Sequence, residues 1–243
     1  MSEADSAIQS ACARADRGLW EAFAARAEDG FGERRGTSRL KFPRYRGGRV
    51  RVSEQEARFA FVEGLADGEL FYSVETPTEK LYSFSGTKEM SAQTDLTLYR
   101  GNGDRLCNIE FKAKGFRKAR AQHGPVRKDL QKLLREDCWG VWYHVLEAVD
   151  NSTIAELLGV IGDGIVQVRD EFSQDLGSPG LLIHICVLRQ GFSLERTIDL
   201  ASPPVQSEMR VDIEVSRSEL VATPDLNGWS LSRVLPRSRG QSS

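Results

Sequence analysis

A hairpin signature between Thr94 and Gly115 is the feature that most constrains the fold. The segment TDLTLYRGNGDRLCNIEFKAKG places two runs of alternating apolar residues on either side of Asn102-Gly103. This dipeptide is typical of a type I′ turn, because both central residues of that turn require positive φ. With the two residues at the tip, the register of the hairpin brings Asp95 directly opposite Glu110.

The same register sorts the side chains of the hairpin onto two faces. Lys112 follows Glu110 by two residues, so it points to the same face as the two carboxylates. The apolar residues point to the other face and form the core there: Leu96, Leu98, Ile109 and Phe111. Directly opposed residues have Cβ atoms roughly 5 Å apart. The hairpin therefore predicts two adjacent carboxylates with a lysine beside them.

Two interpretations of this acidic pair remain open on the hairpin alone. Opposed like charges repel, so a neighbouring group must compensate them. Lys112 neutralises one carboxylate if the polar side is an ordinary solvated sheet face. Alternatively, a divalent cation bridges both acids, since Mg²⁺ and Mn²⁺ prefer carboxylate oxygens. A carboxylate pair with a lysine is suited to phosphodiester hydrolysis, in which the lysine steers the attacking water or offsets developing charge.

A helix upstream of the hairpin supplies a third candidate ligand. Ser53 and Glu56 have the spacing of a capping box, and Gly68 ends the helix. Glu54 falls on the apolar stripe that contains Ala57, Phe61 and Leu65, so it is expected to face inward. Glu54 is therefore a candidate outer ligand of the same metal site.

This arrangement resembles the PD-(D/E)XK nuclease superfamily, the restriction-endonuclease-like fold. The matching features are Glu54 on a helix, Asp95 in TDLTLY, and the E-x-K of IEFKAK, although Thr94 replaces the proline of the motif. The resemblance covers about residues 53–147. It implies Mg²⁺-dependent (or Mn²⁺-dependent) cleavage of nucleic acid, with Asp95, Glu110 and Glu54 as metal ligands and Lys112 as the catalytic lysine. It also implies that Asp129, Gln131 and Lys132 of VRKDLQKLL lie near the site.

The remaining patterns predict an α/β (α+β) fold, a mixed β-sheet flanked by helices. Three regions are expected: an N-terminal helix and basic segment (1–52), a nuclease-like core (53–190), and a C-terminal extension with a disordered tail (191–243). ELFYSVET and EKLYSFSG are interpreted as two strands separated by Pro77. The glycine-rich GVIGDGIVQV is interpreted as a turn between two helices.

Basic residues are concentrated near the predicted site. Residues 34–51 contain eight of the 33 Lys and Arg residues and no acid, and residues 112–135 contain nine with one acid. Such concentration is typical of a phosphate-backbone binder, although a solvated helix face explains the second run equally well. The candidate nucleic-acid contacts are Arg44, Arg46, Lys114, Arg117, Lys118, Lys128 and Lys132.

The sequence also indicates a cellular location and leaves two alternative functions open. The four cysteines are scattered, which predicts reduced thiols and a cytoplasmic location, and no apolar run is long enough to span a membrane. DNA is the expected substrate, with phage defence or restriction as a natural setting and a homodimer as a plausible assembly. The rivals are a catalytically inactive nucleic-acid-binding or regulatory module on the same fold, and an interaction protein whose charges are simply solvated.

Overall fold

The computed structural model describes residues 3–25, 40, 42, 52–65, 70–83, 88–113, 119–200, 209, 214–215, 220–221 and 227–233. The helices in these residues are α1 (Glu3–Ala25), α2 (Glu54–Gly64), α3 (Ala119–Arg135) and α4 (Asn151–Glu171). The strands are β1 (Phe71–Tyr82), β2 (Met90–Tyr99), β3 (Arg105–Lys112), β4 (Trp139–Leu146), β5 (Gly180–Val187), β6 (Phe192–Asp199), β7 (Glu214–Val215), β8 (Leu220–Val221) and β9 (Ser230–Arg233).

Seven strands form one mixed sheet in the order β1-β2-β3-β4-β5-β6-β9. The central pairs β3-β4 and β4-β5 are parallel, and the other pairs are antiparallel. Each parallel pair is connected through a helix, α3 or α4, as parallel neighbours require. The expected mixed sheet flanked by helices is therefore confirmed. β6 and β9, which lie in the predicted C-terminal extension, extend this same sheet.

Helices cover both faces of the sheet. The core on one face contains α1 and α2, and the core on the other contains α3 and α4. Alternate residues of β4 divide between them: Val141, Tyr143 and Val145 face α1 and α2, whereas Trp142 and Leu146 face α3 and α4. Burial on both faces explains the almost continuous apolar sequence of β4 and β5.

The hairpin turn differs from the predicted type I′ turn. Arg100 O accepts from Gly103 N at 2.9 Å, Arg100 N donates to Asp104 O at 3.0 Å, and Gly103 has φ +88°. Asn102 has no positive φ, so the loop is of the three-residue kind with glycine in the left-handed position. The longer loop pairs Tyr99 with Arg105, and a bulge then restores the predicted pairing from Leu98↔Cys107 onward.

Two other predicted breaks in secondary structure are wrong. The segments on either side of Pro77 form the single strand β1, with an irregular register between Pro77 and Leu81. The glycine-rich segment is not a turn, because α4 runs through it without interruption. Gly164 permits close packing there: a Cβ at this position would lie 2.6 Å from Leu130 Cδ1 of α3.

A buried polar cluster joins α1 to the sheet. Asp16 Oδ2 lies 2.8 Å from His184 Nε2, and Asp16 Oδ1 accepts from the Tyr143 hydroxyl at 2.6 Å. His184 Nδ1 lies 3.0 Å from Glu195 Oε2, and the His184 ring stacks on Tyr143. Burial lowers the pKa of His184, but the carboxylates of Asp16 and Glu195 outweigh burial and raise it to about 9. The imidazole is therefore held as a cation between two acids.

Candidate active site

The hairpin register places the two predicted carboxylates next to each other. Leu96 pairs with Ile109, and continuation of this register puts Asp95 opposite Glu110. The described backbone pairing of β2 and β3 ends at Leu96↔Ile109, and Phe111 N donates instead to the side-chain Oδ2 of Asp95 at 2.8 Å. The Asp95 carboxylate is therefore fixed where β2 and β3 begin to separate, and it remains partly exposed.

Arg58 holds the other oxygen of Asp95. Its Nη2 lies 3.0 Å from Asp95 Oδ1, and its Nη1 lies 3.5 Å from Glu75 Oε1. Arg58 belongs to α2 and is buried, whereas Glu75 is exposed. A buried guanidinium requires an acidic partner, and Asp95 is the less exposed of its two partners.

Glu110 is buried beneath α3 and contacts two lysines. Lys132 Nζ donates to Glu110 Oε1 at 2.6 Å, and Lys112 Nζ lies 3.6 Å from Glu110 Oε2. Burial is the largest influence on Glu110 and, together with the charges of Asp129 and Asp95, raises its pKa to about 8. The two ammonium groups therefore compensate this carboxylate only in part.

Asp129 connects the two lysines. Its Oδ2 lies 2.8 Å from Lys112 Nζ, and its Oδ1 lies 3.0 Å from Lys132 Nζ. Burial raises the pKa of Asp129, but the two ammonium groups outweigh burial and lower it. Burial lowers the pKa of Lys112, but Asp129 and Glu110 outweigh burial and raise it above its ordinary value. Asp129 is thus ionised and Lys112 protonated at neutral pH.

We call Arg58, Asp95, Glu110, Lys112, Asp129 and Lys132 the charged cluster. It contains three carboxylates and three basic groups. Several buried polar atoms on or beside it have no hydrogen-bond partner in the described part of the chain: Arg58 Nε, Thr94 Oγ1 and Trp142 Nε1. The Lys112 ammonium lies 5.7 Å from the centre of the Trp142 ring. Buried polar atoms of this kind are usually satisfied by a water or a ligand.

No described contact joins Glu54 to the charged cluster, and most of the predicted nucleic-acid contacts lie outside the described part of the chain. Glu54 is half-buried at the start of α2 and forms no hydrogen bond or ion pair with another described residue. Glu56 caps the helix as predicted, since Ser53 N donates to Glu56 Oε2 at 2.8 Å. The candidate contacts Arg44, Arg46, Lys114, Arg117 and Lys118 lie outside the described residues.

The second basic run is less available to nucleic acid than its composition suggests. Lys112 and Lys132 belong to the charged cluster, Arg127 pairs with Glu171, and Arg135 pairs with Asp175. Lys128 is exposed on α3, as a phosphate contact requires. Lys132 does not fit the predicted role of a nucleic-acid contact, because it is buried and its ammonium donates to Glu110.

Sequence reasoning missed Arg58 altogether. A signal was present, because at 100° per residue Arg58 lies at the edge of the apolar stripe of α2, beside Leu65. A basic residue on a buried helix face indicates a buried acidic partner. The identity of that partner requires the tertiary structure, since Asp95 is 37 residues away.

Within the described residues, no group of three or more His, Cys, Asp and Glu side chains is arranged to hold a metal ion. Protein-family models, curated proteins and solved structures give no match. None of the described helices is long and apolar enough to cross a membrane.

Proposed function

We propose that the chain is a divalent-cation-dependent nuclease of PD-(D/E)XK type that hydrolyses DNA. The observation that carries this proposal is the geometry of Glu110. This buried, incompletely compensated carboxylate lies opposite Asp95 and within 3.6 Å of the Lys112 ammonium. An acidic pair beside a protonated amine has the components needed to hold a cation and to offset charge on a phosphoryl group.

The donor atoms suit a hard cation such as Mg²⁺ or Mn²⁺. Asp95, Glu110 and Asp129 offer carboxylate oxygens only, which these ions prefer. The raised pKa of Glu110 supports the fit, because a cation favours the ionised form that burial disfavours. Asp95 and Glu110 would hold the ion, with Glu54 as the candidate outer ligand. When bound, the ion polarises the phosphoryl group and makes water more acidic.

The residues of the chain would then have distinct roles. Glu110 must lose its proton before it can bind a cation, so its raised pKa sets the pH at which the site becomes competent. Lys112, protonated at neutral pH, would donate hydrogen bonds to a phosphate oxygen or to the attacking water. Asp95 is oriented by the Phe111 backbone N–H and by Arg58.

DNA cleavage can be tested directly with matched variants. Supercoiled plasmid, single-stranded DNA and RNA are incubated with the protein and Mg²⁺ or Mn²⁺, with EDTA as a blank. Asp95→Asn and Lys112→Ala should each reduce cleavage by about 10²-fold or more. Asp104→Asn at the hairpin tip and Lys88→Ala on the surface should retain wild-type cleavage. Cleavage that is independent of the cation or unchanged in Asp95→Asn rules out this site.

A nucleic-acid-binding or regulatory module without catalysis is the second candidate. The charge balance of the cluster favours it, because Arg58, Lys112 and Lys132 already pair with all three carboxylates. Binding of labelled DNA that weakens steeply with salt, without cleavage under any cation, would support this candidate. Negligible affinity at low salt would support an interaction protein instead.

The same samples, run through a sizing column with light scattering, test the expected homodimer.

A further inference from the structure

We propose that Asp129 is a positioning residue for the Lys112 ammonium, while Lys132 fixes Glu110. This inference rests on the proposed nuclease function and adds two residues of α3 to its site. Lys112 Nζ is 2.8 Å from Asp129 Oδ2 but 3.6 Å from Glu110 Oε2. Within the described part of the chain, the closest acidic partner of the expected catalytic lysine is therefore Asp129.

The two lysines differ in how many of their ammonium N–H donors are already used by acceptors among the described residues. Lys132 Nζ donates to Glu110 Oε1 at 2.6 Å and to Gln93 O at 2.9 Å, and Asp129 Oδ1 lies 3.0 Å away. These three acceptors match the three donors of an ammonium. Lys132 thus acts inside the protein, where it holds one oxygen of Glu110.

Lys112 retains donor capacity. Among the described residues, Asp129 is the one acceptor within hydrogen-bonding distance of its ammonium. Its remaining N–H groups can therefore reach a substrate atom, and Asp129 determines where they lie. The helix gives Asp129 a fixed position, because Leu130, Leu133 and Leu134 of α3 are fully buried against the sheet.

A double-mutant cycle on the cleavage rate tests the coupling between Asp129 and Lys112. Asp129→Asn should reduce kcat by about 10–100-fold with little change in KM, because a misplaced catalytic group affects the transition state more than binding. The variant with both Asp129→Asn and Lys112→Ala should be no slower than Lys112→Ala alone. Asp170→Asn, an exposed acid on α4, should leave kcat and KM unchanged. Multiplicative losses, or no loss in Asp129→Asn, would overturn the proposal.

A second measurement keeps the inference testable if the protein cleaves nothing. In NMR spectra of ¹⁵N-lysine-labelled protein, ammonium groups held by hydrogen bonds exchange slowly enough to be observed. Lys112→Arg assigns the Lys112 signal. Asp129→Asn should abolish that signal, whereas Asp170→Asn should preserve it. An unchanged Lys112 signal in folded Asp129→Asn refutes the positioning role, whereas absent cleavage with a lost signal refutes only the nuclease function.

Discussion

Arg58 Nη2 lies 3.0 Å from Asp95 Oδ1, so a helix on one face of the sheet holds a carboxylate of the candidate site. Lys112 and Lys132 approach the neighbouring Glu110 from the face covered by α3. The charged cluster is therefore built from both layers of helices through the gap between β2 and β3. Any cation that binds Asp95 must compete with the Arg58 guanidinium.

Removal of Arg58 should strengthen cation binding. In Arg58→Gln the Asp95 carboxylate loses its positive neighbour, so we expect Mn²⁺ affinity to rise by about tenfold, which corresponds to about 1.4 kcal/mol. Isothermal titration calorimetry measures the change. Glu75→Gln is the matched control, because it removes the other partner of Arg58 and leaves the Asp95 contact intact. Weaker Mn²⁺ binding in Arg58→Gln would show that Arg58 supports the metal site.

Cation binding should depend on pH through Glu110. The folded-state pKa of Glu110 is raised to about 8, so a proton competes with the cation below that pH. We expect apparent Mn²⁺ affinity to rise about tenfold per pH unit up to about pH 8 and then to level off. Calorimetry in buffers of different ionisation enthalpy counts the released proton. Release of no proton near pH 7 would mean that Glu110 is not a ligand, and Glu110→Gln should abolish the pH dependence.

The sequence predicted the hairpin register from Leu96↔Ile109 to Leu98↔Cys107, because strand alternation and hairpin pairing are local properties. The turn type was nevertheless wrong, and the bulge between Leu98 and Tyr99 compensated for the longer loop. The resemblance placed Asp129 near the site, but neither the contacts of Asp129 nor those of Arg58 follow from strand alternation. They depend on how α2 and α3 pack on the sheet, and the sequence of either helix does not contain that information.

The packing of the glycines of α4 was likewise not predictable from the sequence of the helix. These glycines also provide a matched stability test. A Cβ on Gly164 would lie 2.6 Å from Leu130 Cδ1, so this fully buried side chain would have to shift, whereas a Cβ at Gly159 would have nothing within 4 Å. Gly164→Ala should lower the free energy of unfolding by about 1 kcal/mol or more, because overpacking outweighs improved helix propensity. Gly159→Ala should raise it by about 0.5–1 kcal/mol. Urea unfolding measures both values, and equal effects would contradict the close approach of α3 and α4.

The His184 cluster should make the protein less stable as pH rises above neutrality. The pKa of His184 is about 9 in the folded protein and about 6.5 when unfolded. Its stabilising charge is therefore fully present below about pH 6.5 and is lost as pH approaches 9, by about 3 kcal/mol at most. Ionisation of Glu110 lowers stability over a partly overlapping range, from about pH 4.5 to about 8, so the two contributions must be separated.

The variant His184→Asn separates them. Urea unfolding between pH 6.5 and 9 should show a smaller loss of stability in His184→Asn than in wild type, and the difference is the contribution of His184. The loss of stability that His184→Asn still shows below pH 8 should disappear when Glu110→Gln is added to it. An NMR titration of the His184 ring checks the cause directly. A ring that titrates near pH 6.5 would show that Asp16 and Glu195 do not hold the imidazolium, and the pH dependence would then have another origin.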